Sequence, residues 1–339
     1  MSASKGGKSP TMDDVAREAG VSRALVSIAL RGVNGVSDSS RARILKVAKR
    51  MGYRPNAVAA RLASKTSFTV GVFLLDLYNY VFADIYEGIR SVISNSGRHI
   101  VLAIGSADAT RDVEAMESLL ESRVGVVIAA GLQLPDPEVQ RFARATPLVS
   151  TARAVPGIDS ALCDDQAGAE LAVSHLHALG HRRIAHLASP PRDGYQGRRK
   201  GYLAAMADRG PAPLVVEVEY TQAAAAEATT RLLALAEPPS AIFANNDVAA
   251  LGVMDALDAG GLVVGEDVSV VGYDNTPVAQ LPAVSLTSVD QHTALLGRNA
   301  AELALRRAAR PDEAVEHRTA QPELVVRRSS RPPPLGART

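Results

Sequence analysis

Short apolar runs alternate with longer helix-forming segments over most of the chain, from Phe68 onward. The runs are Thr69–Leu75, Ile100–Ile104, Gly125–Ala130, Arg183–Ala188, Ala241–Ala244 and Val268–Gly272. Segments rich in Ala, Leu, Glu and Arg lie near residues 83–96, 110–122, 167–179, 199–209, 223–236, 247–259 and 293–309. This alternation predicts parallel sheets covered by helices. The region is too long for one ordinary doubly wound sheet, so we expect two similar lobes with a ligand cleft at the strand carboxyl ends.

The composition is that of a globular protein with a substantial core. The chain has 339 residues, of which 47% are apolar and 22% charged, and this length predicts two or three domains. The one cysteine, Cys163, excludes a disulfide framework and a multi-cysteine zinc site. No apolar stretch reaches membrane-spanning length, and no secretion signal is evident. We therefore expect a cytoplasmic protein with no cofactor and no metal.

Charge is divided unevenly along the chain. Residues 1–66 carry 13 Lys and Arg against four Asp and Glu, whereas the remaining residues carry 24 against 32. A basic block is typical of a solvated tail or of a nucleic-acid contact, and helical periodicity with turn signals favours the second. Residues 1–10, rich in Gly, Ser and Lys, are expected to be disordered, so the helical part of the block begins at Thr11.

Two short helices in the basic block have helix-turn-helix spacing. Thr11 and Asp14 form the pattern of a capping box that opens the first helix, and Gly20 ends it. Ser22 can cap a second helix only a few residues later. The outward positions of that second helix are Arg23, Ala24, Ser27 and Ile28.

A third helix and a further short helix complete the block. Ser37 can cap the third helix, whose apolar residues recur at the spacing of one helix face until Gly52 stops it. Pro55 then breaks the chain, and Asn56 can cap a final short helix. The block therefore has enough core to present a rigid recognition helix to a DNA groove.

Four runs of residues in this block resemble the opening of the lactose-repressor/galactose-repressor (LacI/GalR) family. They are Thr11–Ala16, Ala19–Ser22, Leu25–Ser27 and Gly52–Asn56. The resemblance continues in the acidic part of the chain. Its clearest marks there are Leu179–Ile184, Arg198 with Gly201-Tyr202, Asn246–Gly252, Val268–Asp274 and Pro322–Arg327. The chain is thus similar to this family over nearly residues 11–330.

The resemblance implies an all-α helix-turn-helix head with a hinge helix, followed by an α/β two-lobed effector domain like the periplasmic binding proteins. The implied segments are a disordered start at 1–10, a DNA-binding domain at 11–55, a hinge and linker at 56–66, an effector and dimerisation domain at 67–330 with crossings between lobes near 161 and 290, and a disordered tail at 331–339. The implied activity is ligand-responsive regulation of transcription, most simply repression of a catabolic or transport operon. Such a protein would work at the nucleoid.

The resemblance also implies a homodimer on near-palindromic double-stranded operator DNA, because two heads are needed to read two half-sites. Tetrameric members of the family end in a leucine heptad. This chain ends instead in Arg331-Pro332-Pro333-Pro334 and a short polar tail. We therefore expect a dimer.

The family positions assign DNA contacts to a set of residues in the head and hinge. The set is Thr11, Ser22, Arg23, Ala24, Leu25, Ser27, Ile28, Ser37, Asn56, Ala59 and Leu62. Leu62 matches the minor-groove lever, an apolar side chain that unstacks a base step at a cost of roughly a few kcal/mol. Without the family, Leu62 would be interpreted as a packing residue in a linker.

Two outward positions depart from the family pattern, Ala24 and Ile28. Members often have a polar or basic residue at the position of Ile28, whereas isoleucine offers only apolar contact, for instance to a thymine methyl. Arg23 could compensate by reaching either a guanine edge or a phosphate. The operator sequence therefore does not follow from these residues.

The resemblance assigns effector contacts to Phe82, Arg192, Arg198, Tyr220, Asn246, Asp274 and Gln291. An arginine, an amide and a carboxylate together can pair with vicinal hydroxyls of a sugar, which we favour, or with the polar edges of a purine. Each residue also has a structural interpretation. Asn246 can cap the next helix, Asp274 can serve a turn with Asn275 and Pro277, Phe82 can be core, and Arg192 can be solvated. A further departure from the family is Ala152, where an acidic residue is common.

Catalytic patterns are weak in this sequence. Gly7-Lys8-Ser9 ends like a phosphate-binding loop but lacks the earlier glycine and a preceding strand, and no dinucleotide or nucleophile-elbow motif occurs. The histidines His175, His177, His181 and His186 have no paired cysteines, and we interpret them as solvated histidines at helix ends. A ligand-binding protein without DNA function and an enzyme on an α/β scaffold are the alternatives, and we expect no catalytic residues.

Overall fold

The computed structural model describes residues 10–31, 35–53, 69–106, 108–190, 196–207, 211–219 and 221–334. The chain divides into two compact units, Met1–Ser67 and Phe68–Thr339. In the first unit, called the head below, lie helices α1 (Met12–Ala19), α2 (Arg23–Arg31) and α3 (Asp38–Arg50). Their shared core is small, with Val15, Val26 and Ile44 fully buried, one from each helix.

The first of two sheets in the larger unit is parallel throughout. Its strands are β1 (Val70–Leu74), β2 (Ile100–Ile104), β3 (Val126–Ala130), β4 (Leu148–Thr151), β5 (Asp159–Cys163) and β11 (His317–Ala320), in the spatial order β11-β5-β4-β3-β1-β2. Its helices are α4 (Tyr80–Ile93), α5 (Asp112–Glu121), α6 (Asp136–Ala145) and α12 (Thr293–Ala309), with a 3-10 turn at Ser94–Ser96. The central strands β1 and β3 are buried along their whole length, as parallel strands between two helix layers must be.

The second sheet has the same design with one antiparallel edge. Its strands are β6 (Ile184–Ala188), β7 (Leu214–Glu217), β8 (Ala241–Ala244), β9 (Ser269–Tyr273), β10 (Thr287–Asp290) and β12 (Glu323–Val325), in the order β12-β10-β9-β8-β6-β7. Its helices are α7 (Asp165–Ala178), α8 (Gly197–Met206), α9 (Gln222–Leu233), α10 (Asp247–Ala259) and α11 (Pro277–Gln280). Strand β12 runs antiparallel to β10. We call each sheet with its helices a lobe.

The chain passes between the lobes three times. It leaves the first lobe after Cys163, returns after Asp290, and passes to the second lobe again between Ala320 and Glu323. The crossings expected near residues 161 and 290 lie at the first two of these points, and the third was not predicted. Each lobe is therefore built from separated parts of the chain.

Residues 331–334 belong to the second lobe, so the prediction of a disordered tail from residue 331 is wrong for them. The backbone N of Arg331 donates to Ser269 Oγ at 2.9 Å, and its carbonyl O accepts from the same hydroxyl at 2.9 Å. His181 Nε2 lies 2.8 Å from that carbonyl as well. This polar anchor fixes the segment where composition alone indicated disorder, and residues 1–9 and 335–339 lie outside the described residues.

Candidate functional site

Side-chain caps fix the first two helices of the head. Thr11 Oγ1 accepts from the backbone N of Asp14 at 3.3 Å, while Asp14 Oδ2 accepts from the backbone N of Thr11 at 2.9 Å. The hydrogen bonds from Thr11 lower the pKa of Asp14. Gly20 ends α1 in the left-handed region with φ 66°, and Ser22 Oγ caps α2 by accepting from Leu25 N at 3.2 Å. The capping box and the short turn expected from the sequence are confirmed.

The outward face of α2 is small and mostly uncharged. Arg23 and Ala24 are exposed, whereas Ser27 and Ile28 are half-buried. Arg23 Nη1 lies 3.6 Å from Asp13 Oδ2, and both side chains are exposed. Because an exposed ion pair contributes little, Arg23 can exchange this partner for a phosphate or a base at small cost.

The other predicted DNA contacts in the head have structural partners too. Leu25 packs partly buried against the head core. Ser37 caps α3, with its Oγ accepting from Ser40 N at 3.3 Å. Asn56, Ala59 and Leu62 lie outside the described residues.

A cavity of about 300 Å³ lies between the two lobes, at the carboxyl ends of their strands. Residues that directly follow β1, β3, β4, β6, β8, β9 and β10 line it: Leu75, Gly131, Ala152, Ser189, Asn245, Asp274 and Gln291. Parallel strands bring their carboxyl ends to one edge of each sheet, so two facing sheets form a cleft there. The predicted effector residues Phe82, Arg198, Asn246, Asp274 and Gln291 all line this cavity.

Arg198 on α8 is held by groups of its own lobe. Its Nε donates to Asp165 Oδ1 at 3.2 Å, its Nη1 donates to the carbonyl O of Asn245, and its Nη2 lies 3.7 Å from Asp274 Oδ1. The guanidinium also lies over the ring of Tyr273, 3.7 Å from the centroid. Burial lowers the pKa of Arg198, but the carboxylates of Asp165 and Asp274 outweigh burial and raise it above its ordinary value. The arginine therefore stays charged inside the protein.

Asp274 is buried beside Arg198 in an unusual backbone conformation. Its φ is 110°, a region that L-residues rarely adopt and that is often found at functional sites. Its Oδ1 accepts from Gln291 Nε2 at 2.6 Å. Burial raises the pKa of Asp274 well above its ordinary value, against the opposing effect of Arg198, and Asp247 adds to the rise.

The turn after β9 is held by Asp247 and not by Asp274. Asp247 Oδ2 accepts from the backbone N of Thr276 at 2.7 Å and from its Oγ1 at 2.8 Å, and Oδ1 accepts from Ser288 Oγ at 2.6 Å. Burial raises the pKa of Asp247 to about 6. Asp247 therefore has the turn role that was considered for Asp274. Asp274 itself lines the cavity.

Asn246 combines the two roles considered for it. Its Oδ1 accepts from Ala249 N at 2.8 Å and so caps α10, which is the structural interpretation. The residue also lines the cavity. Because the cap fixes Oδ1, the amide Nδ2 of Asn246 is the group that can donate to a ligand.

The first lobe contributes an apolar wall to the cavity. Leu75, Val81, Phe82 and Ile85 line it and also belong to the core of that lobe. Phe82 is therefore both core and cavity wall. Gly131 has φ 81°, and a Cβ there would collide with the Phe82 ring. Glycine at this position lets the phenylalanine reach the cleft.

Several lining residues were not predicted from the sequence. They are Asp76, Tyr78, Gln133, Asp165, Ser189, Thr221 and Asn245. Asp76, Ser189 and Asn245 follow strands closely, so the strand-end argument used for Asp274 could have found them. Asp165 also follows a strand closely, but that strand is β5, which the sequence did not predict. The predicted contacts Arg192 and Tyr220 lie outside the described residues.

The interpretation of the histidines as solvated is wrong for two of them. His181 is buried between the hydroxyls of Ser240 and Ser269, at 2.9 Å and 3.0 Å from its ring nitrogens. His186 is fully buried in β6, stacked on Phe243 with 4.6 Å between ring centroids, and its Nδ1 lies 2.9 Å from the carbonyl O of Phe243. His181 does follow the end of α7, where its backbone N donates to the carbonyl O of Leu176, but its ring is buried, whereas His186 lies within a strand and not at a helix end.

Within the described part of the chain, no cluster of three or more His, Cys, Asp or Glu side chains is arranged to hold a metal ion. No helix among those same residues is both long enough and apolar enough to cross a membrane.

Two protein families match separate parts of the chain, and several known proteins match most of it. Residues 11–56 match the bacterial regulatory proteins of the lacI family, and residues 173–330 match the periplasmic binding protein-like domain. Catabolite control protein A of Priestia megaterium is 33% identical over 83% of this chain and 87% of its own length. The HTH-type transcriptional regulator GalS of Salmonella typhimurium is 32% identical over 94% and 96%.

Similar solved structures cover most or nearly all of the chain. A lac repressor dimer bound to operator and the anti-inducer ONPF has a TM-score of 0.84 at 28% identity, over 96% of this chain and 100% of that one. The regulator CelR in complex with cellobiose has a TM-score of 0.71 at 30% identity, over 94% and 99%. A LacI family regulator of Enterococcus faecalis V583 with bound ribose has a TM-score of 0.69 at 28% identity, over 78% and 99%.

A helix-turn-helix head followed by a two-lobed domain with a ligand cleft defines a ligand-responsive DNA-binding regulator of transcription. The chain belongs to the LacI family of bacterial regulatory proteins. Its relatives are regulators, so it is a transcriptional regulator and not an enzyme.

Proposed function

We propose that this regulator is a repressor whose effector is a small sugar bound between the lobes. One observation carries the proposal: Arg198, Asn246, Asp274 and Gln291, from four separate elements, meet at one cavity of about 300 Å³ with Phe82 on the facing lobe. A carboxylate and an amide can bond vicinal hydroxyls, while an aromatic ring packs on the apolar face of a sugar. The bound cellobiose and ribose of similar structures support a sugar over a purine.

On DNA, the protein is proposed to act as a homodimer on a near-palindromic double-stranded operator. The excess of Lys and Arg in residues 1–66 suits phosphate contacts, and the similar lac repressor dimer bound to operator supports the assembly. The proposed contacts are those assigned in the sequence analysis, with Leu62 as the wedge. A regulator of transcription must reach the chromosome, and we therefore place it in the cytoplasm.

The proposed mechanism is a population shift between two arrangements of the lobes. A ligand that contacts both walls of the cleft favours the arrangement in which both walls reach it. The chain crosses between the lobes at three points, about which the lobes can rotate, and we propose that this rotation reaches the segment that leads to the hinge. The cost of inserting Leu62 into DNA then differs between the two arrangements.

The lever is tested by Leu62→Ala, with Leu62→Met as a control that keeps a large apolar side chain. Operator affinity of the full chain is measured by fluorescence anisotropy on a bound genomic fragment. We expect Leu62→Ala to weaken specific binding by at least about tenfold, a factor equal to about 1.4 kcal/mol, and to leave ligand-induced thermal stabilisation unchanged. Equal affinity of Leu62→Ala and the wild type would contradict the lever role.

The sugar is tested by thermal stabilisation of the full chain with ribose, cellobiose and adenosine. Ligand that binds only the folded state raises the unfolding temperature. We expect a sugar to stabilise the wild type and Asp274→Ala to lose that response. Stabilisation by adenosine alone would replace the sugar with a purine.

A further inference from the structure

The lining charges of the cleft constrain the ligand. We infer that the effector carries no phosphate or carboxylate group and is neutral or cationic, with Arg198 acting as a positioning residue for the acidic wall and not as an anion receptor. The inference rests on the proposed function, because it concerns the ligand of that same cavity.

Arg198 is already engaged by the protein. Its Nε donates to Asp165, its Nη1 donates to the carbonyl O of Asn245, and its Nη2 faces Asp274 at 3.7 Å. One face of its plane is covered by the Tyr273 ring. An arginine that receives a phosphate or carboxylate does so with a pair of parallel N–H groups, and here the Nε–H and one N–H of Nη1 are already donated to protein oxygens.

Among the cavity-lining residues that the structure describes, carboxylates outnumber cations. Among the described lining residues the acidic ones are Asp76, Asp165 and Asp274, and Arg198 is the one cation. Burial raises the pKa of Asp274, but even with that carboxyl neutral the described part of the wall has two carboxylates, Asp76 and Asp165, against one cation. An anionic ligand would therefore meet like charge in a partly enclosed site, where repulsion is stronger than in water.

The remaining polar groups suit hydroxyls. Asp274 uses Oδ1 for Gln291, and Asn246 uses Oδ1 for the cap of α10. The other carboxyl oxygen of Asp274 and the amide nitrogen of Asn246, at adjacent strand ends, are thus the groups that we assign to the ligand. A hydroxyl both donates and accepts, so it can satisfy either group without adding charge.

The test uses inorganic phosphate and two matched pairs as probes: ribose with ribose 5-phosphate, and glucose with glucose 6-phosphate. Thermal stabilisation of the full chain is measured for the wild type, Asp165→Asn and Asp164→Asn. We expect no saturable stabilisation of the wild type by phosphate or by either phosphorylated sugar. Asp165→Asn removes the carboxylate nearest Arg198 Nε and should gain a saturable stabilisation by phosphate that the wild type lacks over the same concentration range.

Asp164→Asn is the matched control because it removes the same charge one residue away. Asp164 Oδ1 caps α7 by accepting from Ala167 N at 3.0 Å, and asparagine is an equally good cap. This variant should behave like the wild type toward phosphate.

Saturable stabilisation of the wild type by phosphate or by a phosphorylated sugar would overturn the inference, and so would an Asp165→Asn variant that gains no phosphate affinity. The operator-binding assay is run on the same wild-type preparation. Absence of operator binding there refutes the proposed repressor and leaves the charge result in place. Exclusion of phosphate without a response to any neutral sugar refutes the sugar proposal and leaves this inference standing.

Discussion

Replacing His186 with phenylalanine should reduce the loss of unfolding free energy that the second lobe suffers as the pH falls. His186 is fully buried between Tyr202 and Phe243, and its Nε2 has no hydrogen-bond partner among the described residues. Burial lowers the pKa of His186 from 6.5 to about 4. The folded protein therefore resists a proton that the unfolded chain accepts.

The sign and size of the effect follow from linkage. Above pH 6.5 both states hold a neutral imidazole, so His186 adds no pH dependence there. Between pH 6.5 and about 4 only the unfolded state gains the proton, and the free energy of unfolding falls as the pH falls. At about 1.4 kcal/mol for each pH unit, the full loss is about 3 kcal/mol.

The assay is urea unfolding of the full chain by circular dichroism at a series of pH values from 7 to about 4. The difference in unfolding free energy between His186→Phe and the wild type should shift by about 3 kcal/mol in favour of the variant over that interval. His99→Phe is the control, because His99 is exposed and its replacement should leave the profile unchanged. Parallel pH profiles for His186→Phe and the wild type would show that His186 does not cause the loss of stability in acid.

Two further changes test the structure in other places. Thr11→Ala removes the capping box of α1 and should destabilise the head by about 1 kcal/mol, which would appear as faster amide exchange in α1. Thr11→Ser should keep the wild-type exchange rate, and equal exchange in all three proteins would contradict the role of Thr11 as a cap. Gly297→Ala places a Cβ against the backbone O of Ile85, where α12 packs on α4, and should lower the free energy of unfolding by about 1–3 kcal/mol; an unchanged urea midpoint would show that this helix contact is looser than described.

The elements predicted from the sequence are those with continuous apolar runs. Strands β1, β3, β6 and β8 are buried on both faces and lie within predicted runs. Strands β5 and β10 were missed because they contain buried polar residues such as Ser160, Thr287 and Ser288. The hydroxyl of Ser288 is satisfied by Asp247, 41 residues away, and such a partner leaves no local signal.

The residues of the candidate site could be predicted where they follow an apolar run of the sequence. Asn246 and Asp274 follow apolar runs, and family resemblance gave them a role. The carboxylate that orients Arg198 was missed, because Asp165 lies 33 residues before it and follows β5, a strand that the sequence did not predict. His186 had an available signal, since it lies inside the predicted run Arg183–Ala188, where a buried side chain was to be expected.

The central claim is that a ligand in the cleft changes how the head binds a specific operator. Its most direct test is selection of genomic DNA fragments by the full chain, repeated with and without a panel of neutral sugars. The account predicts a small set of enriched fragments that share a near-palindromic motif, with retention that changes in the presence of at least one sugar and falls steeply with salt. Fragments retained without a common motif, or retention that no sugar alters, would contradict it.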